Sequence, residues 1–486
     1  MFRQLVIFFF ILCPFINNGQ SIYFDKTYDK DFLTERCTNI LALPNNKYAF
    51  YSSGYNFITH SETRLNYYVI NDTGGVEFED FMQDDSGRYE VGYICKTSDG
   101  NIANFYAYSV PPRQLTFQLS KVTPENNLLW HKSFGSDTMI NSPQHLIETA
   151  DKGFLLVGQT YYSAASGIND GDMAAIKTDS LGNVQWSKTF GGTNYDAGLS
   201  SLSTPDGGFL ILGMTRSFGA GQRDAYLVKT DSLGNQEWQK TYGTQANESG
   251  WGIIALNDGN YLMGGGGGYP GGSGWAKLIK INGLGTVIWQ KTYNYQGAND
   301  SYIYWPTELT DGSIVAEGLT TTAGESNAGW LLKTDSNGNE IWQQKYNYNN
   351  YVDLFYNVLP TEDEGFLLSG WCLNPASNNT TDAWLLKVDS LGCPYPNCTV
   401  GIEEESKKVA FNLWPNPAVN ELHIELHGSA RTNLVLHDAI GRVVLQKTLN
   451  EKENTVELST IPAGIYNAEI DIGKEKYFKK LIIAKE

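Results

Sequence analysis

The chain has 486 residues, 41% of them apolar, with 53 acids against 35 bases and a net charge of −18. That length supports a sizeable core and about two to four domains, or one long repeat array with an appendage. The charge excludes a basic track for nucleic acid or anionic lipid, so neither DNA nor RNA is an expected partner.

In chain order, Arg3 precedes an apolar run from Leu5 to Phe15 and then the polar INNGQS. This is the layout of a secretory signal over residues 1–20, with cleavage near Gly19 or Gln20. Cys13 follows Leu12, which is too bulky for a lipid-attachment signal. No later stretch reaches the roughly 18 apolar residues of a transmembrane segment. The mature chain is therefore expected to be secreted or held at the cell surface by other means. Beyond Cys13, five cysteines remain, at 37, 95, 372, 393 and 398. Cys393 and Cys398, in CPYPNC, are the disulfide candidate in an oxidising compartment. Two free thiols are the alternative, and the pairing of Cys37, Cys95 and Cys372 stays open.

A repeated phrase then dominates. DSLGNVQWSKTFGG at 179–192 returns as DSLGNQEWQKTYGT at 231–244, each time after an apolar stretch ending in Lys, as in AYLVKTD at 225–231. Short β-type runs between Gly, Asp and Asn turns predict antiparallel strands. The pivotal aromatics Phe78, Trp130, Trp186, Trp238, Trp289 and Trp342 recur every 51 to 56 residues, the period of propeller blades. Turn-plus-apolar stretches number seven, from Asn45 to Asp363, and strands of the LVKTD kind number seven, but the WxKTY strand follows only six of them. The missing copy is IYFDKTYD at 22–29, which places Phe24 where Trp186 stands. Residues 21–398 are therefore expected to form a seven-bladed β-propeller, with 21–29 closing the last blade and removing the free edges. DSLGN itself is a hairpin turn, since Gly and Asn tolerate positive φ and Asp can bond its own backbone. A calcium loop needs several oxygen ligands at close spacing, and each copy supplies one carboxylate.

Catalytic constellations are scarce. The six histidines form no HExxH pair, and His423 and His427 lie in an alternating strand pattern. No GxSxG elbow is visible. GGGGGYPGGSG at 264–274 lacks a GK[ST] ending and aligns with a blade hairpin. Two features carry candidate sites. Glu35, Glu90, Asn141, Asp196, Glu248, Asp300 and Asp353 would open the innermost strands, where they form a polar ring at the channel mouth or cap their own loops. Such a ring could take calcium; no other cofactor or metal is expected. The loops YNYQGANDSYIYW (293–305) and YNYNNYVDLFYN (346–357) join blades five to six and six to seven. Their Tyr293, Tyr295, Asn299, Tyr302, Tyr346, Tyr348, Asn350 and Tyr351 mix ring faces with hydroxyl-bonding groups, which suits a sugar ligand. Trp330 and Trp384 align with Tyr226 inside a regular strand and are expected to pack between blades.

Composition shifts after Cys398. Residues 399–408 read as a charged linker, and the segment from 406 onward has 11 bases against 10 acids, so the acidity belongs to the propeller. About seven short strands follow in 409–486, a small Ig-like β-sandwich. FNLWPNPAVNELHI, DAIGRVVLQ, LSTIPAGIYNAEI and the terminal KKLIIAKE resemble the type A C-terminal sorting domain of the type IX secretion system of Bacteroidetes. The matching positions are Trp414, Pro415, Asn416 and Pro417, then Gly441 and Arg442, then Pro462, Gly464 and Tyr466, with Lys479 and Lys480 near the end. Trp414 stands where Tyr is more frequent. The resemblance implies export with the secretion machinery as partner, removal of the domain, and surface attachment or release. The whole is expected to be an exported binding or adhesion module for a glycan or protein ligand. A polysaccharide hydrolase or lyase using paired carboxylates, and a structural surface protein, are the rivals.

Overall fold

A computed structural model describes residues 22–395 and 411–485, except 29–33, 56–62, 85–86, 111–114, 136–138, 163–170, 270–272, 349–351, 375–379, 427–431, 439–441 and 473–474. The expected signal segment, the linker, Asn350, Tyr351, Cys398 and Gly441 lie outside the described residues. The chain divides into two units, 1–400 and 401–486. Among the described residues, every regular element is a β-strand.

The first unit holds seven four-stranded antiparallel sheets. Six are meanders of consecutive strands: blade 1 (34–84), blade 2 (88–134), blade 3 (139–190), blade 4 (196–242), blade 5 (247–293) and blade 6 (298–346). Blade 7 is built from Asp353–Pro360, Phe366–Asn374 and Thr380–Val388, and its fourth strand is Phe24–Tyr28 from the other end of the unit. The register runs from Phe24 opposite Lys387 to Tyr28 opposite Ala383. The first strand of each blade packs on the preceding blade, and that of blade 1 packs on blade 7, so the ring closes. Thr381 Oγ1 seals this junction by donating to Glu35 O at 3.1 Å.

Burial follows strand position. The third strands are buried on both faces, as in Asp224–Thr230, whereas the outer strand Gln236–Tyr242 alternates with solvent. In blades 2, 3, 4, 5 and 7 the lysine near the end of the third strand meets the turn acid of the same blade. Lys229 meets Asp206 at 2.8 Å and Lys177 meets Asp151 at 2.7 Å. Trp330 and Trp384 are fully buried in blades 6 and 7, and each indole bonds an outer-strand side chain.

The repeated phrase proves to be two halves of one contact between blades. Gly338 of blade 6 has φ +74°, and a Cβ there would stand 2.9 Å from the ring of Trp289 in blade 5. The hydroxyl of Tyr293, which ends the same outer strand, donates to Gly338 O at 2.7 Å. Tyr242 repeats this on Gly285 and Tyr346 on Gly392. Tyr28 does the same on Gly74 of blade 1 at 2.9 Å, which marks Phe24–Tyr28 as the displaced outer strand of the last blade. The DSLGN turn needs glycine both for its left-handed φ and for the aromatic that covers it. Its acid is used internally: Asp179 Oδ1 accepts from the Leu181 and Asn183 amides.

The second unit packs a three-stranded sheet (Phe411–Trp414, Glu421–Leu426, Glu453–Glu457) with a four-stranded one (Thr432–His437, Val443–Leu449, Gly464–Ile472, Glu475–Ile483). Leu422, Ile424, Leu434, Leu436, Ala468 and Leu481 form its dry centre. The fold is thus a seven-bladed propeller followed by a small β-sandwich.

Candidate functional site

Each inner strand of the propeller bulges at the same level. The pairing skips between Cys37 and Ile40, Val91 and Tyr93, Pro143 and His145, Gly198 and Ser200, Gly250 and Gly252, Ile303 and Trp305, and Phe355 and Asn357. A bulge re-aims the residue it leaves out of the ladder. The residues so released are Thr38, Gly92, Gln144, Leu199, Trp251, Tyr304 and Tyr356, one from each blade, and all seven line one cavity of about 760 Å³ on the propeller axis. Repetition that stiffens the blades elsewhere is suspended here: the seven positions hold Thr, Gly, Gln, Leu, Trp and two Tyr.

The cavity is chemically two-sided. Blades 5 to 7 supply an aromatic arc: Trp251 meets Tyr304 edge-on at 5.0 Å, and Tyr304 meets Tyr356 at 5.3 Å. Trp371 Nε1 donates to Tyr356 Oη at 3.5 Å, and the Arg36 guanidinium lies 5.2 Å over the Trp371 ring. Blades 1 to 3 supply Arg36, Arg88, Glu90 and Gln144. Glu90 accepts from Ser142 Oγ at 2.6 Å; burial raises its pKa, opposed by that bond and by the two guanidinium charges. Tyr93, His145 and Trp305, from blades 2, 3 and 6, meet across the axis with centroids 4.4 to 5.8 Å apart, which fills the channel at this level. The Ser201 amide donates to His145 Nδ1, and burial pushes the imidazole down to about 3, so it packs as a neutral ring. Glu317 is fully buried nearby, and burial raises its pKa well above the usual range, opposed by the backbone amides of Glu317 and Trp305.

Of the two arrangements open to the seven polar positions, a ring at the mouth or caps of their own loops, most of them take the second. Asp196 accepts from the Gly192 amide at 2.8 Å, Glu248 from the Thr244 amide at 2.7 Å and Asp353 from the Tyr348 amide at 2.6 Å, each within its own loop. Asp300 binds the Gly274 amide, Glu35 is buried against Ser52 and Asn66, and Asn141 donates to Leu115 O. Only Glu90 of these seven lines the axial cavity. Period-two alternation explains the outcome: the ring positions face between blades, and the bulge, about three residues later, faces the axis.

The tyrosine loops also divide. Tyr293 and Tyr346 are buried with their hydroxyls committed to turn carbonyls, so they pack blades and cannot meet a ligand. Tyr295 and Tyr348 are half-buried against blade cores, and Asn299 is exposed. Tyr302 and Asp300 line a second pocket of about 320 Å³ with Arg223, Asn327, Trp251 and Tyr304. Trp251 and Tyr304 border both spaces, so the side pocket adjoins the axial cavity. The axial residues escaped sequence reasoning because a bulge is a property of pairing. Their signal is a position of changing residue type at a near-constant offset from the repeated acid.

In the second unit Trp414 and Arg442 are exposed, whereas Tyr466 is buried and donates to Pro462 O at 2.8 Å. Asn416 Oδ1 accepts from the Ile482 amide, tying the WPNP segment to the last strand. Lys479 is half-buried over the Phe411 ring, and Gly464 opens its strand; Pro415 and Pro417 follow cis bonds. Cys393 is disulfide-bonded, while Cys37, Cys95 and Cys372 are free thiols.

Residues 412–484 match the family described as the secretion system C-terminal sorting domain. The C-terminal unit is a type IX secretion sorting domain. A chain carrying this sorting domain is destined for the cell surface or for secretion. Among the described residues no helix is long and apolar enough to cross a membrane. No curated protein sequence matches the chain. Among solved structures, PorZ, a surface component of the type IX secretion system of Porphyromonas gingivalis, is 9% identical over 92% of this chain and 86% of its own, with a TM-score of 0.29. A PL25 polysaccharide lyase, an ulvan lyase, is 12% identical over 75% and 96%, with a TM-score of 0.45. A Dyadobacter fermentans protein of unknown function is 10% identical over 76% and 99%, with a TM-score of 0.43. At such scores these likenesses carry no argument about activity.

Proposed function

We propose that the propeller is a glycan-binding module, exported through its signal segment (1–20) and its sorting domain (409–486), and that its ligand sits in the axial cavity. The observation that supports this is the set of bulges, which brings one residue per blade to a space of about 760 Å³ with an aromatic arc on one side and polar groups on the other. Indole and phenol faces suit the apolar faces of sugar rings, while Gln144, Gln159, Ser53 and the arginines can bond hydroxyls.

The test puts the exported protein on a panel of plant, algal and bacterial polysaccharides and records both retention and released sugars. Retention without products, lost at least tenfold in Trp251→Ala and Tyr356→Ala, is the expected result. Retention unchanged in both variants refutes the axial site. Released sugars that vanish in Glu90→Gln favour the enzyme reading, for which the raised pKa of that cavity-lining carboxyl is the specific observation.

A further inference from the structure

Resting on the glycan reading, we propose that the axial cavity and the side pocket form one groove for an acidic oligosaccharide, with Arg36 meeting anionic groups at one end and Arg223 at the other.

The two guanidinium groups stand at opposite ends of the same aromatic path. From Arg36 the path runs through Trp371 and Tyr356 to Tyr304 and Trp251, and the last two also border the pocket that holds Arg223. Neither guanidinium makes a hydrogen bond or ion pair among the described residues, although the chain carries 53 acids that could have supplied one. Arg223 Nε is buried with no hydrogen-bond partner among the described residues. A buried donor left unmet is costly, and a planar guanidinium fork is shaped for carboxylate or sulfate oxygens. Arg88 also lines the axial cavity, where Glu90 is the single carboxylate of the lining. Asp300, the acid of the side pocket, has one oxygen engaged by the Gly274 amide. An acidic sugar chain thus finds ring faces along its length and unpaired donors at both ends.

The experiment compares matched polymers on the full exported chain: polygalacturonate against its carboxyl-reduced form, and chondroitin sulfate against desulfated chondroitin. Arg36→Gln, Arg223→Gln and the double variant are measured beside the parent, and melting curves check folding. The expected result is binding at least tenfold tighter to polygalacturonate than to its carboxyl-reduced form, or to chondroitin sulfate than to desulfated chondroitin, which keeps its carboxylates, weakened by salt, with each variant losing about tenfold. The two pairs separate carboxylate from sulfate as the anion. Should Arg223→Gln fail to fold, exposed Arg36 and the salt slope still decide. Equal binding within both pairs, unaffected by Arg36→Gln, overturns the anionic assignment and leaves the glycan reading standing. No retention of any polymer, here and on the wider panel, overturns both.

Discussion

Gly338 and Gly259 offer a controlled measurement of how the blades hold one another. Both are the glycine of a hairpin with the same pair of backbone bonds, with φ of +74° and +81°. Replacing either with Ala incurs the left-handed cost, about 1 kcal/mol. At Gly259 nothing stands within 4 Å of the new Cβ, so the cost should end there. At Gly338 the methyl group meets the Trp289 ring and the Tyr293 hydroxyl, both at 2.9 Å. It must displace a hydrogen bond, about 1 kcal/mol, and part of an indole's packing, about another 1 kcal/mol. Gly338→Ala should therefore destabilise by about 3 kcal/mol and Gly259→Ala by about 1 kcal/mol. Urea unfolding followed by tryptophan fluorescence measures both. Tyr293→Phe provides the cycle: in its background the penalty at Gly338 should shrink by several tenths of a kcal/mol or more. Equal losses at the two glycines, or no coupling to Tyr293, would refute the latch between blades.

Deleting residues 22–28 should remove the buried rings of Phe24 and Tyr28 and expose the edge of Thr380–Val388, lowering stability by about 5 kcal/mol or more; unchanged melting would contradict closure by this strand. Burial pushes the Asp353 carboxyl up to about 8, with Asp25 adding repulsion. The unfolded chain releases that proton near pH 4, so this group's contribution is full below pH 4 and is lost as pH rises toward 8. Asp353→Asn should flatten the pH dependence of unfolding over that window, by a few kcal/mol at pH 8; an unchanged slope would mean the folded carboxyl is already ionised. A reporter carrying residues 399–486 behind a signal peptide should leave a host that has the type IX machinery, and its retention in the periplasm would refute autonomous sorting by this segment.

Much of the architecture is legible because each blade repeats the same local solution. Turn acids, β-type runs and one aromatic per period announce strands and their number, and the single missing WxKTY copy locates the closing strand at Phe24–Tyr28. The sorting domain is legible in four ordered motifs for the same reason: local residues carry the pattern. The site behaves differently. Tyr293 and Tyr346 look like recognition residues in sequence, but each hydroxyl is spent on a glycine carbonyl about 45 residues away. Asp196, Glu248 and Asp353 share a phase, yet the phase points them into loops. Trp251, Tyr304 and Tyr356 carry no special local signal; the bulge turns them to the axis and ring closure brings them together. Sequence by itself determined strands, blade number and destination, because those depend on neighbours along the chain. Only the tertiary structure decided what faces the cavity, because strand register and sevenfold closure are contacts between residues far apart in that chain.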